Sequence, residues 1–190
     1  MSTRPLRADA ARNRARVLAA AQEAFAAEGL AVPLDDIARR AGVGAGTVYR
    51  HFPTKEALFE AVILDRLTRF VEHARSLATA GDAGAAFFDF LRLLITGAQS
   101  SKDLADALAG TGLAAPGLIT SAKQALYEAG QTLLERAQQA GGVRDDVDIA
   151  AVMALFTGAT TALLQRPDDP ALHQMVFAVL HDGLQPPVAD

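Results

Sequence analysis

The chain has no cysteine and no tryptophan, and only two tyrosines and nine phenylalanines among its 190 residues. Disulfide and thiolate chemistry are therefore excluded, and the composition is compatible with a reducing cytoplasm. No apolar stretch of signal-peptide length precedes Arg16 in "MSTRPLRADAARNRARVLAA", so no export signal is expected. Long apolar runs are scarce too. One uncharged run, "IAAVMALFTGATTALLQ" at 149–165, approaches the length of a bilayer span. Its Thr157, Gly158, Thr160, Thr161 and Gln165, with Asp148 and Arg166 close on either side, favour a buried bundle helix, and no membrane partner is expected. Catalytic constellations are missing: no Ser/His/Asp arrangement, phosphate-cradling glycine loop or paired catalytic carboxylate is identifiable. His173 and His181 stand eight residues apart, about 12 Å along one helix, too far to share an ion. Asp145, Asp146 and Asp148 lack the spacing of a calcium loop and read as helix-start acids. An enzyme is not expected, nor a cofactor or a metal.

What the chain does have is alanine, 41 residues of it, within a composition that is 51% hydrophobic. Alanine lowers the cost of helix formation almost everywhere, the apolar spacing is helical, and no sustained alternating pattern signals a strand. An all-α fold follows. The net charge of −4 conceals a division, because residues 1–55 hold nine Lys/Arg against five Asp/Glu and the remainder nine against seventeen. Arg4, Arg7, Arg12, Arg14 and Arg16 face one early acid, Asp9. Such a density attracts a polyanion, although a solubilising tail would carry the same charge.

Helix one is expected from about Ala10 to Glu28, with Val17, Leu18, Ala21 and Phe25 on one stripe and Gly29 ending it. Helix two follows from Leu34 to Ala41, its Leu34, Ile37, Ala38 and Ala41 spaced at i, i+3, i+4 and i+7. Gly42 stops it after two turns, and a third short helix must begin within three residues, which makes a helix-turn-helix. Pro53 ends helix three, and Thr54 caps a long fourth helix from Lys55 to about Ala78. Further helices are expected over 83–99, 101–109, 118–140, 148–165 and 170–184.

On a wheel at 100° per residue, Val48 and Phe52 share the core side of helix three. Gly46 and Arg50 lie opposite with Thr47 beside them, and Tyr49 and His51 fall on the flanks. Each feature alone has an ordinary explanation: a packed tyrosine, a solvated histidine, loop glycines. Together they describe a helix with an apolar back and a small-residue front, shaped for a DNA major groove. Arg50 is suited to donate two hydrogen bonds to a guanine edge, and the rim groups to reach phosphates.

"LDDIARRAGVGAGTVYRHFPTKEALFEAV", residues 34–62, resembles the N-terminal domain of the TetR family of bacterial transcriptional regulators, over about residues 10–65. The resemblance implies a basic arm at 1–9, a three-helix DNA-binding domain at 10–65, and a helical effector-binding and dimerisation domain at 66–190. It implies a cytoplasmic homodimer on a palindromic double-stranded DNA operator, most simply a repressor released by an unidentified small-molecule effector. By position, Ala45, Gly46, Thr47 and Arg50 fall where family members read bases, and Tyr49, His51 and Lys55 where they contact phosphates. Gly44 and Pro33 replace hydroxyl residues common at the two helix starts, so binding is expected to lean more on the arginine arm. Asp35 stands where some members use an arginine.

Segment 149–165 is apolar on nearly every side, and the last helix has Leu172, Val176, Val179 and Leu180 on one stripe. The pair suits an intersubunit four-helix bundle, with Leu163 and Val176 expected at the contact; a monomeric helical core is the other reading. The resemblance also places Phe70, Phe88, Leu91, Leu126, Tyr127 and Phe156 around the effector pocket, along with Phe87, Phe90, Leu94 and Leu108. His73, Arg92, Gln99 and Thr120 are polar groups suited to orient a ligand, and core packing or surface exposure accounts for the same residues.

Overall fold

The computed structural model describes residues 4–99, 117–166 and 168–187. The expected helix at 101–109, the Gly/Pro stretch after it and Leu108 lie outside the described residues. Two compact units divide the chain, Met1–Arg66 and Leu67–Asp190. Among the described residues all regular structure is helical.

The first unit contains α1 (Arg4–Glu28), a 3-10 turn (Gly29–Ala31), α2 (Leu34–Ala41), α3 (Ala45–His51) and the beginning of α4 (Lys55–Leu77). Helix α1 starts at Arg4 rather than near Ala10, so residues 4–9, expected as an arm, continue the helix. Pro5 falls in its first turn, where a missing N–H costs nothing, and arginine is a good helix former. Val17, Ala21 and Ala24 are fully buried along one stripe, joined by Phe25, which meets Phe59 edge to face at 5.7 Å. Ile37, Val48 and Leu58 are also fully buried, tying α2, α3 and α4 into one core. Burying an aliphatic side chain of that size contributes about 1.5–3 kcal/mol, so this small unit rests on few residues.

Helix α2 ends where expected. Gly42 takes φ 61°, and its N–H closes on Arg39 O at 3.1 Å while Val43 N–H reaches Ala38 O at 3.0 Å. Ala38, 2% exposed, allows the close approach of α2 to its neighbours. Thr54 caps α4 by accepting from Ala57 N–H at 3.1 Å.

The second unit holds the rest of α4, then α5 (Ala83–Gln99), α6 (Leu118–Gln139), α7 (Ile149–Leu163) and α8 (Pro170–Leu184). Helix α5 packs on α6 and α7 through Phe87, Phe90 and Leu91, all fully buried. The ring of Phe70 fills the space that a Cβ on Gly97 would need. Asp148 and Asp169 cap α7 and α8 through Ala151 N–H at 2.7 Å and Leu172 N–H at 2.9 Å. Asp148 is therefore the helix-start acid its position suggested. Asp146 is instead clamped by Arg144, with Nε and Nη2 on its two oxygens at 2.6 and 2.7 Å.

Candidate nucleic-acid interface

Helix α3 turns Val48 and Phe52 inward, at 0% and 3% exposure, and leaves Ala45, Gly46, Tyr49, Arg50 and His51 exposed with Thr47 half-buried. The seven sequence-predicted residues do not all share one surface role. Ala45, Gly46, Thr47 and Arg50 form a contiguous front, and Tyr49 and His51 flank it. Lys55, in the first turn of α4, donates its ammonium to Leu30 O at 2.9 Å and Ala31 O at 3.5 Å, holding the turn between α1 and α2. Helix α3 has no side-chain cap at Gly44; the Gly44 carbonyl accepts from Thr47 N–H at 2.8 Å.

Seven cations of this unit fall into two groups. Arg12 pairs with Asp9, Arg39 with Asp36 and Arg40 with Glu28, so their charge is offset locally. Arg14, Arg16, Arg50 and Lys55 meet neutral partners. Arg14 lies over the Phe52 ring, 5.6 Å from its centre, and Arg16 donates to Gly42 O at 3.1 Å. The Arg16 guanidinium also occupies the place that a Cβ on residue 42 would take. Gly42 is thus required for its backbone, and a side chain there would also displace the Arg16 guanidinium. Arg50 bends along its own helix, donating from Nε to Gly46 O at 2.9 Å and from Nη2 to Thr47 Oγ1 at 3.3 Å. A cation held by a carbonyl or a ring keeps its full charge, so this second group is not offset by carboxylates. Neither the seat of Arg16 nor that of Lys55 has a sequence signal, because each partner carbonyl lies about 25 residues away.

In the second unit the expected pocket residues are mostly core. Leu91, Leu126 and Phe156 are 0%, 2% and 3% exposed, and Phe70 is buried against Gly97. Phe88 packs against His181 of α8 with ring centres 4.1 Å apart and planes tilted by 43°, and Tyr127 is half-buried. Arg92 lies over Phe177 at 4.4 Å, while His73 and Thr120 are exposed. A groove of about 200 Å³ runs between the end of α4 and the middle of α6, lined by Ala74, Arg75, Ala78, Ala125, Glu128, Ala129 and Thr132. None of the six pocket residues lines it.

Helix α8 is held mainly at its end. Of its side chains, Leu184 alone is fully buried, and Arg144 binds both terminal carbonyls, Gly183 O through Nη1 at 3.2 Å and Leu184 O through its backbone N–H at 2.9 Å. The Arg144 hydrogen bond holds the Asp146 carboxyl below its usual value, and the same pair raises Arg144. Leu163, expected between subunits, is 1% exposed inside its own unit, whereas Leu155, Met175 and Val179 are 55%, 66% and 66% exposed. The outward faces of α7 and α8 are carried by these residues. Among the described residues no helix is long and apolar enough to cross a membrane, and no group of three His, Cys, Asp or Glu is placed to hold a metal ion.

Comparison with known proteins bears on both units. Residues 17–62 match the description "Bacterial regulatory proteins, tetR family", and residues 82–186 match "Transcriptional regulator SbtR-like, C-terminal domain". The HTH-type transcriptional regulator SrpR of Pseudomonas putida is 30% identical over 171 residues, covering 83% of this chain and 76% of that protein. Among solved structures, a TetR transcription regulatory protein from Mycobacterium vanbaalenii is 50% identical with a TM-score of 0.78, covering 95% of this chain and 99% of that one. The TetR regulator SCO0520 from Streptomyces coelicolor is 34% identical with a TM-score of 0.77, over 93% and 99%.

Proposed function

The chain belongs to the tetR family of bacterial regulatory proteins, and from that premise we propose that it is a repressor, a cytoplasmic homodimer that a small-molecule effector releases from a palindromic operator. It is a DNA-binding transcriptional regulator, not an enzyme. The observation that carries the reading is the front of α3: exposed Ala45, Gly46 and Arg50 with Thr47, over a back of buried Val48 and Phe52. Small residues admit the helix to the groove floor, and Tyr49, His51 and Lys55 meet phosphates at its edges. The exposed Leu155, Met175 and Val179 support pairing of two copies through α7 and α8, since large apolar side chains left in water favour a partner surface. The effector site is assigned to the second unit, around Phe70, Phe88, Leu91, Leu126, Tyr127 and Phe156. Because Leu91, Leu126 and Phe156 are core residues, an effector would enter by parting their packing, which supplies a reason for binding to change the protein's shape.

The test is a salt titration of operator affinity. A duplex selected by the protein should be lost steeply as salt rises, with a slope of about 0.9 per neutralised phosphate, and Lys55→Ala should reduce that slope by about one counterion per subunit. Affinity independent of salt would leave a small-molecule binder as the better description.

A further inference from the structure

Resting on the reading that α3 enters the major groove, we propose that Thr47 and Arg50 act as one donor unit addressing two adjacent base pairs: a guanine under Arg50 and, beside it, a base that presents an acceptor and not cytosine. The geometry begins with Arg50, which spends two of its five N–H groups inside the protein, Nε on Gly46 O at 2.9 Å and Nη2 on Thr47 Oγ1 at 3.3 Å. Those bonds lay the long side chain along the exposed front of α3. The three N–H groups that remain, two on Nη1 and one on Nη2, form the fork at its far end. Such a fork fits the O6 and N7 acceptors of guanine.

Thr47 is changed by the same contact. Its oxygen accepts from a cation, so its own hydrogen points elsewhere, and its remaining lone pair sits beside the guanidinium charge, where a second donor would be repelled. The hydroxyl is therefore set to donate. It lies on the same front of α3, one turn from Arg50 and within hydrogen-bond distance of Nη2, so a guanine that fills the Arg50 fork leaves the hydroxyl beside an adjacent base pair. Guanine, adenine and thymine each offer an acceptor in the major groove, whereas cytosine offers an amino donor. Gly46 contributes through its carbonyl as the anchor of Arg50, and its missing side chain leaves the space in front of that carbonyl open, with nothing within 4 Å of where a Cβ would stand.

Selection from a random duplex library by the full-length protein tests this directly, with Thr47→Val, Thr47→Ser and Arg50→Lys alongside and melting curves to confirm that each variant is folded. The parent should enrich a guanine at one position of each half-site, preferred about 10- to 100-fold, and deplete cytosine next to it. Thr47→Val should erase the preference at the neighbouring position and weaken that for guanine. Thr47→Ser should keep both, and Arg50→Lys should lose the guanine. A parent that binds DNA with the expected salt dependence yet selects no guanine, or a Thr47→Val profile identical to the parent's, overturns the donor unit while leaving the regulator reading intact. Failure of the parent to select any duplex overturns both.

Discussion

A Cβ added at Gly46 would meet no atom within 4 Å, and the residue has ordinary helical backbone rather than a positive φ. Packing therefore gives no reason for glycine there, and helix propensity argues against it by roughly 0.5–1 kcal/mol relative to alanine. Gly46→Ala should accordingly raise the melting temperature while lowering operator affinity at least about tenfold, since the new methyl occupies the front of α3 that approaches the bases. Calorimetry and a gel-shift titration on one preparation would separate the two effects. A variant both more stable and undiminished in binding would mean that the front of α3 never comes close to the groove floor. Gly42 is the contrasting case: φ 61° strains any substitution in the turn, and a side chain there would also push the Arg16 guanidinium aside.

At the scale of single elements, α7 and α8 show why an apolar helix has to be read with its neighbours. Leu163 faces its own core at 1% exposure and Leu155, two turns earlier, faces out at 55%. Leu155→Asp with Val179→Asp should yield a folded monomer at micromolar concentration by sedimentation velocity, with helical content unchanged. Leu163→Asp should instead unfold the second unit, because a buried unpaired charge has no compensation. A Leu155/Val179 variant that still sediments as a dimer would move the interface off these helices. The end of α8 adds a pH dependence. The Arg144 hydrogen bond keeps the Asp146 carboxyl below its ordinary pKa, so its clamp on Arg144 contributes stability above the ordinary carboxylate range. That contribution is lost as pH falls through the lowered folded value. Hydrogen exchange near Gly183 and Leu184 should quicken over that window, and Asp146→Asn should exchange quickly at neutral pH with no further acceleration on acidification.

For the whole molecule, two units divide the work: one carries the charge and the groove-shaped helix, the other the apolar interior and the outward faces of α7 and α8. A dimer built through the second unit fixes the separation of two α3 helices, so its half-sites must recur on one face of the duplex, a helical turn of about 10–10.5 base pairs or its multiples apart. Inserting five base pairs between the half-sites should reduce affinity to that of unrelated DNA, and inserting ten should restore part of it. Footprinting on the three duplexes would show this. Equal protection of all three would mean that each subunit binds its half-site independently.

Most helix boundaries, the start of α1 excepted, were legible in the sequence because the signals that set them are local. Gly42 takes positive φ, Thr54 and Asp148 cap the turn that follows each, and Val48 and Phe52 recur on one side of a short helix. Each acts within about four residues, the reach of a helical hydrogen bond. Tertiary structure alone decided the rest. Arg16 reaches a carbonyl 26 residues away and Lys55 one 25 residues away, and a flexible cation carries no mark of which carbonyl will come within range. Phe88 meets the ring of His181, since an aromatic on a helix that is apolar on several sides turns toward whichever neighbour packs against it. The same holds for α7, where residues apolar all round give no phase to the helix, so only the packing of α5, α6 and α8 fixed Leu163 inward and Leu155 outward.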